Sequence, residues 1–392
     1  MPGARQSILV VGSGIFGVTS ALELVRRGHK VRLLDPGPIP HPRAASTDIS
    51  KLIRMDYGSD ELYMSMMEEA FATWDLWNRE WPEPLYHQSG FLLLAQFEMK
   101  PDDFEYESLK LLRKRGHGVV LADRQVLQRR FPAWKAEEYA SGYFNPRAGW
   151  AESGRVVERL AAEAVAAGVH AVPNVSAVRL GEDSSRNPQV VGSDGNGYHA
   201  DTLVLATGAW SQLLSPRLAE VMAYVAQPVF HFRVRDPERF RGPAFPPWAA
   251  DISKTGWYGF PANRDGIVKV ANHGAGRVVH PDNPRATTAE EELACREFLR
   301  GSLPELGDAA LASSRTCLYA DSWDGNFYVC RDPERPNVIY ATGDSGHGFK
   351  FAPILGKLVA DVVEGKNNPY AGRFAWRDRG QVRVREQARY LA

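Results

Sequence analysis

The strongest constraint on this chain lies in its first 35 residues. Ile8-Leu9-Val10-Val11 is a short apolar run of strand type, Gly12-Ser13-Gly14-Ile15-Phe16-Gly17 follows at once, and Val18, Leu22 and Val25 then recur at helical spacing until Gly28 stops the helix. A second apolar run, Val31 to Leu34, ends at Asp35, 18 positions beyond Gly17. Strand, glycine turn, helix and strand in this order make a βαβ unit. Gly12 permits the tight turn, and Gly14 lets backbone N–H groups approach a pyrophosphate at the helix N-terminus. Gly17 lets helix and strand pack closely, and Asp35 accepts from a ribose diol while disfavouring a 2′-phosphate. The three glycines alone are a weak sign, compatible with a turn in any doubly wound sheet. Their place between a strand and a helix, with the acidic residue after the second strand, makes a dinucleotide site the expectation.

The chain has 392 residues, enough for about two to three domains at roughly 150 residues each. Lys plus Arg is 47 and Asp plus Glu is 47, so no strongly charged surface for nucleic acid or an anionic membrane is implied, and small molecules are the expected partners. No apolar run approaches the roughly 18 residues of a membrane span, and Met1 to Ser7 lead straight into a strand rather than an apolar leader segment. Cys295, Cys317 and Cys330 form no CxxC pair, which argues against a disulfide framework or a metal site and for a reducing, cytoplasmic setting. A monomer is expected.

Further along, Tyr63, Met67, Ala70, Phe71, Trp74 and Trp77 make a helical stripe that reads as a core helix. Gly90–Leu94 and Val119–Leu121 read as strands of a separate layer, and an Ala-rich helix falls near Val156–Gly168. Thr202–Ala206, entering a glycine turn at Gly208, reads as a strand returning to the first sheet. Between Tyr224 and Asn272 the period changes to two, with Trp257–Phe260 and Ile267–Val270 as further strands of a mixed or antiparallel sheet. The expected architecture is α/β and mixed: a Rossmann-like dinucleotide domain from residues 1–85, 145–215 and 310–375, interleaved with a substrate domain from 86–144 and 216–309, then a tail over 376–392.

Near the end, Val338 to Phe351 and the apolar helix Ile354–Glu364 place a second glycine turn, with Gly343, Gly346 and Gly348, at a second helix N-terminus. Together with Cys317-Leu318-Tyr319 and Tyr258-Gly259-Phe260-Pro261, this run resembles the monomeric sarcosine oxidase group of the glycine oxidase and D-amino acid oxidase superfamily, which includes pipecolate and fructosyl amino acid oxidases. The resemblance covers nearly the whole chain and is most specific in Ser345-Gly346-His347-Gly348-Phe349-Lys350-Phe351.

The resemblance implies FAD as cofactor, held covalently through Cys317 by an 8α-S-cysteinyl bond. It implies Lys269 near flavin N5, helping oxygen react, and Arg54 with Lys350 as a clamp on the substrate carboxylate. Tyr258, Tyr319 and His347 line the site beside the flavin. Lys51 stands where sarcosine oxidases carry arginine and matches the fructosyl amino acid oxidases instead. The implied reaction moves hydride from the carbon next to a secondary amine to the flavin; O2 is then reduced to H2O2 and the imine hydrolyses. Each residue has a plainer alternative: Lys269 as a solvated strand lysine, Cys317 as a small core hydrophobe, Arg54 as a surface arginine, and the aromatics as sheet core. The competing functions are a flavin dehydrogenase with another acceptor and a flavin-binding protein without turnover.

Overall fold

The computed structural model describes residues 5–183 and 187–380. β1 (Ser7–Val11), α1 (Ile15–Arg26) and β2 (Lys30–Leu34) form the expected βαβ unit, with β1 and β2 parallel. β1 is central to a six-stranded sheet ordered Tyr328–Arg331, Val338–Thr342, Thr202–Leu205, β1, β2, His170–Val172, parallel throughout except for the first strand. Both faces of β1 are covered: Ile8 and Val10 pack with α1 and the helix Ala352–Glu364, while Leu9 and Val11 pack against Leu203, Leu205 and Tyr340. A parallel strand buried on both faces must be apolar at consecutive positions, hence the unbroken run Ile8–Val11.

The second body is a nine-stranded sheet built around the long strand Met222–Arg233. Ala310–Ser322 runs antiparallel along one edge of it and Ile267–Asn272 along the other. Beyond these come Trp257–Phe260, Trp248–Ala250, Phe91–Ala95, Ser141–Asn145 and Val120–Leu121, all antiparallel except the parallel pair Trp248–Ala250 and Phe91–Ala95. The sheet is therefore mixed, as the alternation suggested. Ala310–Ser322, which the sequence grouping put with the nucleotide body, is hydrogen-bonded into this sheet instead; a strand's own residues do not name its partner. At the C-terminal end, Trp376 packs on Tyr328 and Tyr340 at 5.5 and 5.9 Å, and Arg377 pairs with Asp324 at 2.6 Å, so the expected tail begins inside the folded body. Residues 381–392 of it lie outside the described residues.

Side chains alternate across a strand, so this sheet has two characters. Phe230, Phe232, Val268 and Val270 face the helix Ala289–Ser302 and pack with its Cys295 and Leu299. The opposite parity carries polar and reactive groups: Phe260, Lys269, His231 and Ser313 lie side by side across four strands, and Tyr258, Ala271, Val229 and Arg315 form the next row. Cys317 and Tyr319 follow with the same parity. Facing them, a three-stranded sheet pairs Lys51–Ile53 with Gly149–Ala151 and that with Tyr86–His87. The helix Glu61–Glu80, capped by the Asp60 carboxylate on Leu62 N–H and Tyr63 N–H, buries Tyr63, Met67, Ala70, Phe71 and Trp74 beneath it.

Candidate active site

At the nucleotide end, Gly12 has φ +99°, and a Cβ there would stand 2.5 Å from Ala206 O. A Cβ on Gly17 would collide with the Gly12 carbonyl, so the turn and α1 close only with glycine at both places. Gly14 caps α1 without a side-chain hydrogen bond, and the first turn holds no acidic residue, which leaves the positive helix end to an anion. Asp35 is buried after β2; its Oδ2 accepts from Ser13 N–H and Ser13 Oγ–H, both at 2.7 Å, and its Oδ1 from Gly37 N–H at 3.1 Å. The carboxylate thus fixes the glycine turn as well as offering its remaining lone pairs outward.

From here the segment 46–50 bridges the two bodies. Ser46 Oγ accepts from Ile15 N–H at 3.1 Å, Arg315 Nη1 donates to Thr47 O at 2.8 Å, and Lys269 Nζ donates to Ser50 O at 2.7 Å. Thr47 Oγ1, Ser50 Oγ and Gln227 Oε1 are buried and lack a protein partner. Each orphaned group costs about 1–3 kcal/mol unless a ligand meets it, so a polar molecule spanning the helix end and the sheet face fits these atoms. FAD is such a molecule.

A cleft of about 680 Å³, counting its open mouth, lies between the sheet face and the glycine turn. Tyr258, Tyr319, His347, Gly346, Lys51, Arg54 and Lys350, all singled out by sequence, line it together. Gly343 and Gly348 lie in the same turn, and Gly346, at φ +75°, leaves no room for a Cβ because the Tyr319 ring packs on it. Cys317, 2 % exposed and free of any disulfide, and Lys269, fully buried, lie on the sheet face. Lys269 is therefore no surface lysine.

The charges are held in distinct ways. Lys269 Nζ is 2.6 Å from Asp48 Oδ2, and burial pulls its pKa down to about 8 although Asp48 pushes the other way. Asp48 is held well below the usual carboxylate range: its burial raises the pKa, but Lys269 and then His231 outweigh that. Lys51 is favoured as an ammonium, since Cys317, Asp48 and Tyr258 outweigh the effect of its burial. Lys350 Nζ donates to Tyr57 Oη at 2.9 Å and to His347 O at 2.8 Å. Tyr57 Oη in turn lies 3.1 Å from His347 Nδ1, and His347 Nε2 lies 2.9 Å from Gly325 O. This pattern assigns the proton to Nε2, and burial, then Lys350, push the His347 pKa down to about 3. His347 is therefore neutral at physiological pH and bridges Tyr57 and the Gly325 carbonyl.

Arg54 is half-buried, with its guanidinium 5.0, 5.8 and 6.0 Å from the rings of Tyr57, Phe104 and Phe91. Its Nη1 is buried with no hydrogen-bond partner. Asp56, one turn of chain away, is occupied by Tyr143 Oη at 2.8 Å and Asn145 Nδ2 at 3.1 Å, and burial raises its pKa. Sequence reading missed Asp48, His231, Tyr57 and His273. Asp48 precedes Lys51 by three positions and Tyr57 follows Arg54 by three, but no local pattern marks either, because their partners come from distant strands.

Residues 7–362 match the FAD-dependent oxidoreductase family. The chain belongs to that family. Among curated relatives it is similar to N-methyl-L-tryptophan oxidase of Salmonella dublin, with 27% identity over 370 residues, 93% of this chain and 96% of that protein. A modified fructosyl peptide oxidase from Aspergillus nidulans shares its fold with TM-score 0.84 and 24% identity, over 96% of this chain and 94% of that one. Glycine oxidase from Geobacillus kaustophilus shares it with TM-score 0.80 and 20% identity, over 96% of this chain and all of that one. Among the described residues, no helix is long and apolar enough to cross a membrane and no cluster of His, Cys, Asp and Glu is arranged for a metal ion.

Proposed function

We propose that this FAD-dependent oxidoreductase is an oxidase of amino acids that carry a secondary amine, with O2 as the electron acceptor and H2O2 as product. When bound, FAD supplies the two-electron acceptor that amine oxidation requires. The observation that carries the reading is the pair of cations at a cleft with no Asp or Glu among its lining residues: Arg54, with Nη1 unpartnered, and Lys350, braced by Tyr57 and His347. Half-buried Arg54 and buried Lys350 face a cleft whose lining carries no carboxylate, which fits an anionic ligand, and a carboxylate matches the planar guanidinium. Phe91, Leu93, Phe104, Ala249 and Ile252 supply the rest of the wall, so an apolar amino-acid side chain packs there at little desolvation cost. Tyr258 and Tyr319, 3.4 Å apart at their hydroxyls, orient the amine, and Lys269 meets the charge that develops as oxygen is reduced. Gly12, Gly14, Gly17 and Asp35 hold the adenosine diphosphate end of the cofactor; Gly343, Gly346 and Gly348 lie along the remainder, and Lys51 lies beside Cys317, the point of covalent attachment.

Lys51 favours a second reading, a fructosyl amino acid as substrate. The two are separated by an anaerobic screen of N-methyl amino acids and fructosyl amino acids, following loss of flavin absorbance. Bleaching by N-methyl amino acids with apolar side chains, faster than by sugar amines, is expected; no bleaching by any carboxylate-bearing amine rejects the function. Acid precipitation should leave the flavin in the pellet, and Cys317→Ser should release it. The three cysteines, all free, fit a reducing compartment.

A further inference from the structure

We propose that Asp48 is the positioning residue that holds Lys269 in place and in its ammonium form. The inference rests on the reading of Lys269 as the cation that meets reduced oxygen. It starts from the sheet register: Lys269, His231 and Ser313 are direct cross-strand neighbours on three adjacent strands and share a face. Asp48 reaches onto this row from the bridging segment. One carboxylate oxygen takes Lys269 Nζ at 2.6 Å, and the other lies 3.4 Å from His231 Nε2. His231 Nδ1 is in turn 3.0 Å from Ser313 Oγ, which is exposed. The side chains of Lys269 and Asp48 are 1 % and 3 % exposed, so neither charge is stabilised by water.

Every charged neighbour of Lys269 is accounted for by element. The bridging segment gives Asp48 and the Ser50 carbonyl; the strand Lys51–Ile53 gives the Lys51 ammonium, which opposes a second positive charge. Ala310–Ser322 gives Cys317, Met222–Arg233 gives His231 beyond Asp48, and Trp257–Phe260 gives Tyr258 near Lys51 and the Phe260 ring 4.7 Å from Nζ. Of these, Asp48 alone is a carboxylate in contact. Burial and Lys51 work to strip the proton from Lys269, and Asp48 opposes both; the balance near 8 leaves the ammonium dominant at neutral pH by a narrow margin. Removing the Asp48 charge leaves burial and Lys51 to disfavour the ammonium, so Lys269 loses its proton more readily.

The test follows the Nζ resonance of Lys269 in 15N-lysine-labelled holoenzyme, assigned by its loss in Lys269→Met. Asp48→Asn should move the titration midpoint to lower pH by about 1–3 units, the shift an adjacent opposite charge produces, and Asp48→Glu should bring it back. In stopped flow, flavin reoxidation by O2 in Asp48→Asn should be slow at pH 7 and recover on acidification, whereas flavin reduction by substrate keeps its rate. An unmoved midpoint, or a reoxidation defect equal at every pH, overturns the inference; if Asp48→Asn does not fold, Asp48→Ser is read by the same criteria. Wild-type reoxidation in Lys269→Met overturns instead the reading of Lys269, even where the midpoint shift is found.

Discussion

Lys269 is closed in by a carboxylate of its own chain at 2.6 Å, whereas Arg54 leans on three aromatic rings and has no carboxylate within 4.0 Å among the described residues. The two cations belong to one site and are kept in it by different physics. An ion pair with excellent geometry can offset the loss of water around both partners, and it leaves the pair close to neutral. Ring faces recover only about 0.5–2 kcal/mol and leave the positive charge unneutralised. A cation meant for a ligand's carboxylate cannot already own one. A cation meant to persist through a reaction in a dry interior needs one.

Three experiments would break or sharpen that contrast. The largest effect is expected at the pair: Asp48→Ala should cost about 3–5 kcal/mol of stability by leaving Lys269 uncompensated, while Asp48→Ala combined with Lys269→Met should recover much of it. Equal losses in single and double variants, by urea denaturation, would mean that the carboxylate acts on the fold and not on the lysine.

Next, Arg54→Ala should leave the fold nearly unchanged and weaken competitive carboxylate inhibitors by about 2–5 kcal/mol, roughly 30-fold to several thousandfold. Titration of flavin absorbance with an N-substituted carboxylate and with its decarboxylated analogue reads this directly. If both weaken alike, the rings rather than the ligand are what Arg54 serves.

The smallest effect concerns the brace beside Lys350. His347 is neutral when folded, with its pKa pushed down to about 3, so below the unfolded imidazole value the unfolded chain binds a proton that the folded chain refuses. Stability attributable to this group is complete above about pH 6.5 and falls on acidification by up to about 1.4 kcal/mol per pH unit. His347→Gln, which can still bridge Tyr57 and the Gly325 carbonyl, should show a shallower decline of melting temperature between pH 6.5 and 4. An unchanged slope would remove His347 from the acid response.

Much of this could be read before folding. The nucleotide turn was legible because most of its requirements are local: Gly17 is demanded by the Gly12 carbonyl and Asp35 meets its first partner, Ser13, across one βαβ unit, while only the Ala206 carbonyl against Gly12 comes from far along the chain. The alternation of Val229, His231 and Arg233 with Phe230, Phe232 and Val234 pointed to a mixed or antiparallel sheet. What it did not show was that Ala310–Ser322 would join it, since register is settled by pairing and not by composition. Nor did it show the partners of His347, whose two nitrogens lie 3.1 Å from Tyr57 Oη and 2.9 Å from Gly325 O, because these come from distant parts of the chain.

By itself the sequence determined the βαβ unit with its dinucleotide turn and the two-residue period of the second sheet, because turns, periods and caps depend on neighbours along the chain; FAD and the residues of the cleft came with the family resemblance of the glycine-rich run near the C-terminal end. The tertiary structure alone decided which cation is paired and which is open. Asp48 meets Lys269 across more than two hundred residues, and Arg54 meets Phe91 and Phe104 from separate elements. The state of a buried charge is set by what stands within a few ångströms of it, and for these groups that neighbourhood exists only once the two bodies have closed on the segment between them.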